Sequence, residues 1–210
     1  MTEEKVEQEA LKILDQLGWE VLNGPEIGPE GTSERKYDQV VLERRLAEAV
    51  AKINPHLPVL AIEEVVKKTI RHHHPEMLLD NHQFHSQLTD GVSVEYRTAS
   101  GEVRTEQAQL FDFTNPANNE FVAVNQFTVI NGDYHRRPDI VLFVNGLPLG
   151  IIEIKDPTSE TASLKSAYNQ LQTYEAEIQP LFRFNELEII TDGIDAEMGT
   201  ISATFERFTA

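Results

Sequence analysis

The stretch RRPDIVLFVNGLPLGIIEIK, residues 136–155, constrains the fold more than any other part of the chain. Two runs rich in Val, Ile, Leu and Phe flank an Asn-Gly pair, the composition of two buried strands joined by a hairpin. Charged residues stand at the outer ends: Asp139 opens the first run, and Glu153 and Lys155 close the second. Side chains alternate along a strand, so Glu153 and Lys155 share one face while Ile152 and Ile154 point to the other. Register decides whether Asp139 joins them. A plain two-residue Asn-Gly loop pairs Val144 with Leu147 and Asp139 with Ile152, which leaves the two carboxylates on opposite faces. A three-residue loop, or a bulge near Pro148 or Gly150, brings Asp139 opposite Glu153. One of these departures is expected, and with it a turn that the Asn-Gly pair does not close as the simple two-residue loop.

Asp139, Glu153 and Lys155 together would form a site with a clear chemistry. Two carboxylates can hold Mg²⁺ with help from substrate phosphate oxygens, and a lysine can stand beside the reacting phosphate or water. Downstream, the helical stretch SAYNQLQTYE offers Gln170 and Tyr174 four residues apart, on one helix face toward the same end of the sheet. Upstream, TEEKVEQEALKILDQLGWE reads as an opening helix with Thr2 at the N-cap and Gly18 past its end. Its apolar face carries Val6, Ala10, Leu11, Ile13, Leu14 and Leu17, with Glu7 in the middle, either at the rim or aimed into a polar site.

The remaining periodicity sets the organisation. Helices are expected over 38–53, 57–70 and, more weakly, 75–88; the first two are separated by the breakers of INPHLP. From residue 89 the period changes, with strands expected at 91–98, 106–113, 121–130, 139–144, 149–155 and 185–193, and a helix at 159–178 capped by Ser159. The fold class is α/β, a mixed sheet flanked by helices, in one domain over 1–210 with a helical part to about residue 88 and a sheet core beyond it. HHHP at 72–75 raises a metal reading, but three consecutive side chains cannot converge on one ion in regular structure. There are no cysteines, so disulfide and zinc-thiolate frameworks are excluded. No run reaches the ~18 apolar residues of a membrane span, and the acidic start is unlike a signal peptide, so a cytoplasmic protein is expected. The net charge of −17 argues against autonomous, tight binding to a polyanion. The small basic clusters Arg44-Arg45, Lys67-Lys68-Arg71 and Arg136-Arg137 read as solvated faces, the last also as a candidate DNA contact.

Asp139, Glu153-Ile154-Lys155 and Gln170-x-x-x-Tyr174 resemble the core of the PD-(D/E)xK nuclease superfamily, with Pro138 supplying the leading proline. More closely, NPANNEFVAVNQFTV, the hairpin stretch and AYNQLQTYEAEIQPLFRFNELEIITDG resemble the N-terminal domain of the R (HsdR) subunit of type I restriction-modification enzymes. The likeness runs from LGWEVLNGPEI to ATFERF, nearly the whole chain. It implies a restriction-endonuclease-like core with a helical N-terminal elaboration and Mg²⁺-dependent cleavage of double-stranded DNA. It also implies a complex with modification and specificity subunits. The resemblance makes Asp139 and Glu153 metal ligands, joined by the Ile154 carbonyl, and gives Lys155 the attacking water or the developing charge. A lysine beside two carboxylates should keep its proton, which favours charge stabilisation. Gln170 and Tyr174 would position DNA or the catalytic loop, and Glu7 would be the helix-borne acid. The chain has no G-x-x-x-x-G-K-[ST] loop, so ATP use is expected only in the full-length subunit, of which this chain would be a fragment. Two other readings compete: a docking module coupling motor to modification core, with residues 38–71 as its surface, and a stand-alone repair nuclease of the same superfamily.

Overall fold

A computed structural model describes residues 2–98, 100–156 and 163–210. In chain order the elements are α1 (Glu3–Gln16), β1 (Glu20–Asn23), the one-turn α2 (Gly24–Ile27), α3 (Glu43–Ile53), α4 (Val59–Ile70) and α5 (Met77–Asp90). Then come β2 (Val92–Arg97), β3 (Val103–Ala108), β4 (Phe121–Asn125), β5 (Val129–Asn131), β6 (Tyr134–Arg136), β7 (Ile140–Val144) and β8 (Leu147–Ile154). The chain ends with α6 (Leu164–Glu177), α7 (Gln179–Phe182), β9 (Leu187–Thr191) and β10 (Ala196–Gly199). Six strands form one mixed sheet in the order β1-β4-β7-β8-β9-β10, while β2-β3 and β5-β6 are separate hairpins. The expected class, a mixed sheet flanked by helices, is what the chain adopts. None of its described helices is long and apolar enough to cross a membrane.

The sheet is covered on both faces. Ala123, Ile140, Leu142, Ile152 and Ile154 pack against Val6 and Leu11 of α1. Val122, Val124, Val141, Phe143, Ile151 and Ile190 form the larger core with α6 and the other helices. Strands buried on both faces read as continuous apolar runs, which is why β7 and β8 stood out in the sequence. The helical part is not set apart from the sheet: β1 pairs parallel with β4, so residues 20–23 form its edge.

The hairpin corrects one expectation and meets the other. Asn145 and Gly146 do close a two-residue loop, with Val144 opposite Leu147, and both residues have positive φ, 53° and 79°, as a type I′ turn requires. The extra residue sits deeper. Phe143 pairs with Pro148 but Leu142 with Gly150, so Leu149 is a bulge beside a proline that has no N–H to give the ladder. Beyond the bulge Ile140 pairs with Ile152, which puts Asp139 across from Glu153. The turn itself is buried and tied down. Asn145 donates to Leu110 O and Asn119 Oδ1 and accepts from Glu120 N, and Leu42 N donates to Gly146 O.

That last bond also explains why α3 begins at Glu43 rather than Asp38. Residues 38–42 are held non-helical from both sides, because the Arg35 guanidinium donates to the carbonyls of Tyr37, Gln39 and Thr128. The strand expected over 106–113 ends at Ala108, since Asn54 captures both the N–H and the carbonyl of Gln109. The run 121–130 splits into β4 and β5 at Gln126, whose φ is 54°. Thr2 occupies the N-cap position of α1 without a side-chain cap bond, and Ile13 and Leu17, read as core, are 57% and 71% exposed. Ser163 caps α6 with a reciprocal bond from Ser166; the Ser159 cap lies outside the described residues.

Candidate active site

The bulge in β8 and the start of β7 place three charged side chains at one end of the sheet. Asp139 Oδ2 accepts the Ile154 N–H at 2.8 Å. Lys155 Nζ donates to Glu153 Oε1 at 2.8 Å and to the Ile154 carbonyl at 2.9 Å. Glu153 is fully buried, and its Oε2 has no hydrogen-bond partner, an arrangement that costs about 1–3 kcal/mol or more where nothing fills it. Burial pushes the Glu153 carboxyl up to about 8, with the Asp139 charge adding to the rise and Lys155 opposing it. Burial likewise pushes Asp139 up to about 6, against the Ile154 N–H and Lys155, with Glu3 and Glu7 adding negative charge. Two carboxylates held together in poor solvent, one with a free buried oxygen, make a strong demand for positive charge. That is the donor set a hard divalent cation takes: carboxylate and carbonyl oxygens. Lys155 Nζ already touches two of its members.

Gln170 and Tyr174 lie on α6, which packs over this face. Gln170 Nε2 donates to the Tyr174 hydroxyl at 2.6 Å. Tyr174 is buried, and both that burial and the nearby Glu153 charge raise its phenol above the usual range. Glu7 is not at the rim. It is 8% exposed and accepts from Asn125 Nδ2 at 2.8 Å and Gln126 Nε2 at 2.6 Å. It opens with Glu3, Arg137 and Asp139 onto one cleft of about 480 Å³. Arg137 thus borders the site, whereas Arg136 is paired with Glu177. In the HHHP stretch, His72 Nδ1 meets Asp80, His73 Nε2 meets the Lys68 carbonyl and Gln87, and the His74 carbonyl accepts from Arg183.

Residues 1–207 match the family described as the type I restriction enzyme R protein N terminus. The chain belongs to that family. It is 43% identical, over its full length, to the type I restriction enzyme HindI endonuclease subunit of Haemophilus influenzae. Over 97% of its length it is 32% identical to a Methanocaldococcus jannaschii protein provisionally named the MjaIXP endonuclease subunit. The chain spans about one fifth of the length of each of these relatives.

For a member of the R protein N-terminus family, the geometry brings together Asp139, Glu153 and Lys155, with Gln170 and Tyr174 above them and Glu7 across the cleft. Among the described residues no group of three or more His, Cys, Asp or Glu side chains converges as a ready metal cage; the oxygen set here is two carboxylates and one carbonyl. Asn125 and Gln126 were missed in the sequence. They sit inside a run that reads as one continuous strand, and no turn residue marks the break between them and Phe127. Also missed was Glu188, a second fully buried acid facing Glu175 on α6.

Proposed function

We propose that this domain cuts double-stranded DNA, hydrolysing phosphodiester bonds with Mg²⁺ as the nuclease part of a type I restriction enzyme R subunit. The observation that carries the reading is the β8 bulge: one extra residue places Asp139 opposite Glu153, whose buried Oε2 has no hydrogen-bond partner. The relatives' names as endonuclease subunits support it. Asp139, Glu153 and the Ile154 carbonyl would hold the ion, which when bound supplies Lewis-acid activation of water and neutralises phosphate charge. Lys155, fixed by Glu153 and the main chain, would place a positive charge where the pentavalent phosphate gathers negative charge. Tyr174 and Gln170, locked to each other, would set one wall against the DNA backbone. The docking and repair readings draw no comparable support from the geometry.

In this reading the domain works in the cytoplasm beside modification and specificity subunits, and ATP is used only elsewhere in the full-length subunit. In the complete enzyme, Asp139→Ala and Lys155→Ala should each reduce DNA cleavage by about 10³-fold or more while ATP hydrolysis and translocation persist. Gel assays of circular DNA beside a phosphate-release assay check both; double-strand cutting retained by Asp139→Ala would end the proposal.

A further inference from the structure

We propose that Gln126 is a positioning residue of this site, setting the separation between the helix-borne acid Glu7 and the strand-borne acid Asp139. The inference rests on the nuclease reading above and deepens it. Alternation along β4 puts Ala123 and Asn125 on the α1 face and Val122 and Val124 on the other. A regular strand would therefore aim Gln126 away from α1. Yet Asn125 and Gln126 both reach Glu7, one to each carboxylate oxygen. The φ of 54° at Gln126 is the cause, because a left-handed residue at the strand end turns its side chain onto its neighbour's face. A non-glycine residue in that conformation is strained and persists only where its surroundings hold it.

The holding contacts point at the site. The Gln126 N–H donates to the Asp139 carbonyl at 2.8 Å. On the other side Gly24 packs so closely that a Cβ there would lie 2.3 Å from the Gln126 carbonyl oxygen. One residue thus binds Asp139 through its main chain and Glu7 through its side chain. The chemistry of the grip matters as well. Two amide donors satisfy both Glu7 oxygens without bringing a cation beside them, so the acid's field is left to the cleft it shares with Asp139 and Arg137. Val6 and Leu11 bury part of the apolar face of α1 against the sheet, and the Glu7 bonds add a polar tie beside them.

Gln126→Gly and Gln126→Asn test this in the complete subunit with its partners. Both replacements accept a left-handed backbone, and neither reaches Glu7. Each should lower DNA cleavage roughly 10- to 100-fold, as loss of a ligand-orienting partner does, and raise the Mg²⁺ concentration for half-maximal cutting. In the absence of metal and DNA, hydrogen exchange across residues 3–16 should quicken in the Gln126 variants, and Glu7→Gln should quicken it to the same extent. Because Gln126 acts through Glu7, the double variant Gln126→Gly/Glu7→Gln should cut no more slowly than the weaker single variant. Wild-type cutting and Mg²⁺ dependence in both Gln126 variants, unchanged exchange of residues 3–16, or losses that multiply in the double variant would each overturn the role. Asp139→Ala in the same assay separates the two levels. If it is inactive while the Gln126 variants cut at the wild-type rate, only the positioning role falls; if it cuts, the nuclease reading falls and takes this inference with it.

Discussion

At Glu153 the fold encloses an acid that the proposed function needs ionised. A carboxyl fully enclosed beside Asp139 holds its proton up to about pH 8, and Asp139 holds its own up to about pH 6. Any divalent ion must displace those protons, so its binding strengthens as pH rises and the competition relaxes. The Mg²⁺ concentration for half-maximal cleavage should fall between about pH 6 and about pH 8, by up to about tenfold per pH unit for each proton displaced. Cleavage rates titrated with Mg²⁺ at several pH values measure it, and a flat response would remove these carboxyls from the ion's shell. Glu188 offers a cleaner test of the same physics, away from the chemistry. It faces Glu175, and desolvation first, then its neighbour's charge, pushes its carboxyl up from 4.5. The folded chain then binds more protons than the unfolded one above the ordinary carboxylate range, so stability drops with rising pH. Glu188→Gln should raise the melting temperature at mildly alkaline pH and change it little near pH 5. Equal shifts at both would show that Glu188 is not titrating.

At the scale of elements, the hairpin turn is the part with least tolerance. A Cβ added at Gly146 would lie 2.5 Å from Leu42 O and 2.7 Å from Leu46 N, and φ there is 79°. Gly146→Ala should therefore push α3 off the turn and cost about 2 kcal/mol or more, read as a lower denaturant midpoint. A loss under about 0.5 kcal/mol would mean that the turn is not locked to α3. The same hairpin marks how far the sequence could be read. Its apolar runs, its charges and the need for one extra residue were legible because burial and alternation are local. That Asn145-Gly146 closes the loop while Leu149 bulges was not, since the choice depends on Leu42, Leu110, Asn119 and Glu120, all distant in sequence. β1, β6 and β10 are three or four residues long and partly exposed, too short for a period to appear. Ile13 and Leu17 misled for the opposite reason: the apolar stripe of α1 is wider than the strip of sheet beneath it. Glu7 reads as a rim acid by composition, and only the partners Asn125 and Gln126, brought from more than a hundred residues away, hold it buried at the cleft it shares with Asp139.

At the scale of the whole molecule, the charge of −17 is distributed against DNA rather than toward it. Arg45 is ringed by Glu20, Glu34 and Glu120, Arg183 is paired with Asp80, Arg136 with Glu177 and Lys68 with Glu64. The cleft is lined by Glu3, Glu4, Glu7 and Asp139 against Arg137. The excess of carboxylates, several of them paired with the basic side chains, leaves little net positive charge to release counterions from phosphate, so this chain alone should bind duplex DNA more weakly than the roughly 10⁻⁴ to 10⁻⁶ M of ordinary non-specific binding at physiological salt. Fluorescence anisotropy of labelled duplex measures this, and a dissociation constant near 10⁻⁷ M would contradict it. In the proposed reading, DNA is therefore held at the cleft by something other than this domain's own charge. A consequence follows for the complete assembly. If phosphate contacts come from elsewhere, Asp139→Ala abolishes cutting but leaves the slope of DNA affinity against salt unchanged. A slope altered by about one unit or more would place a phosphate contact in this cleft.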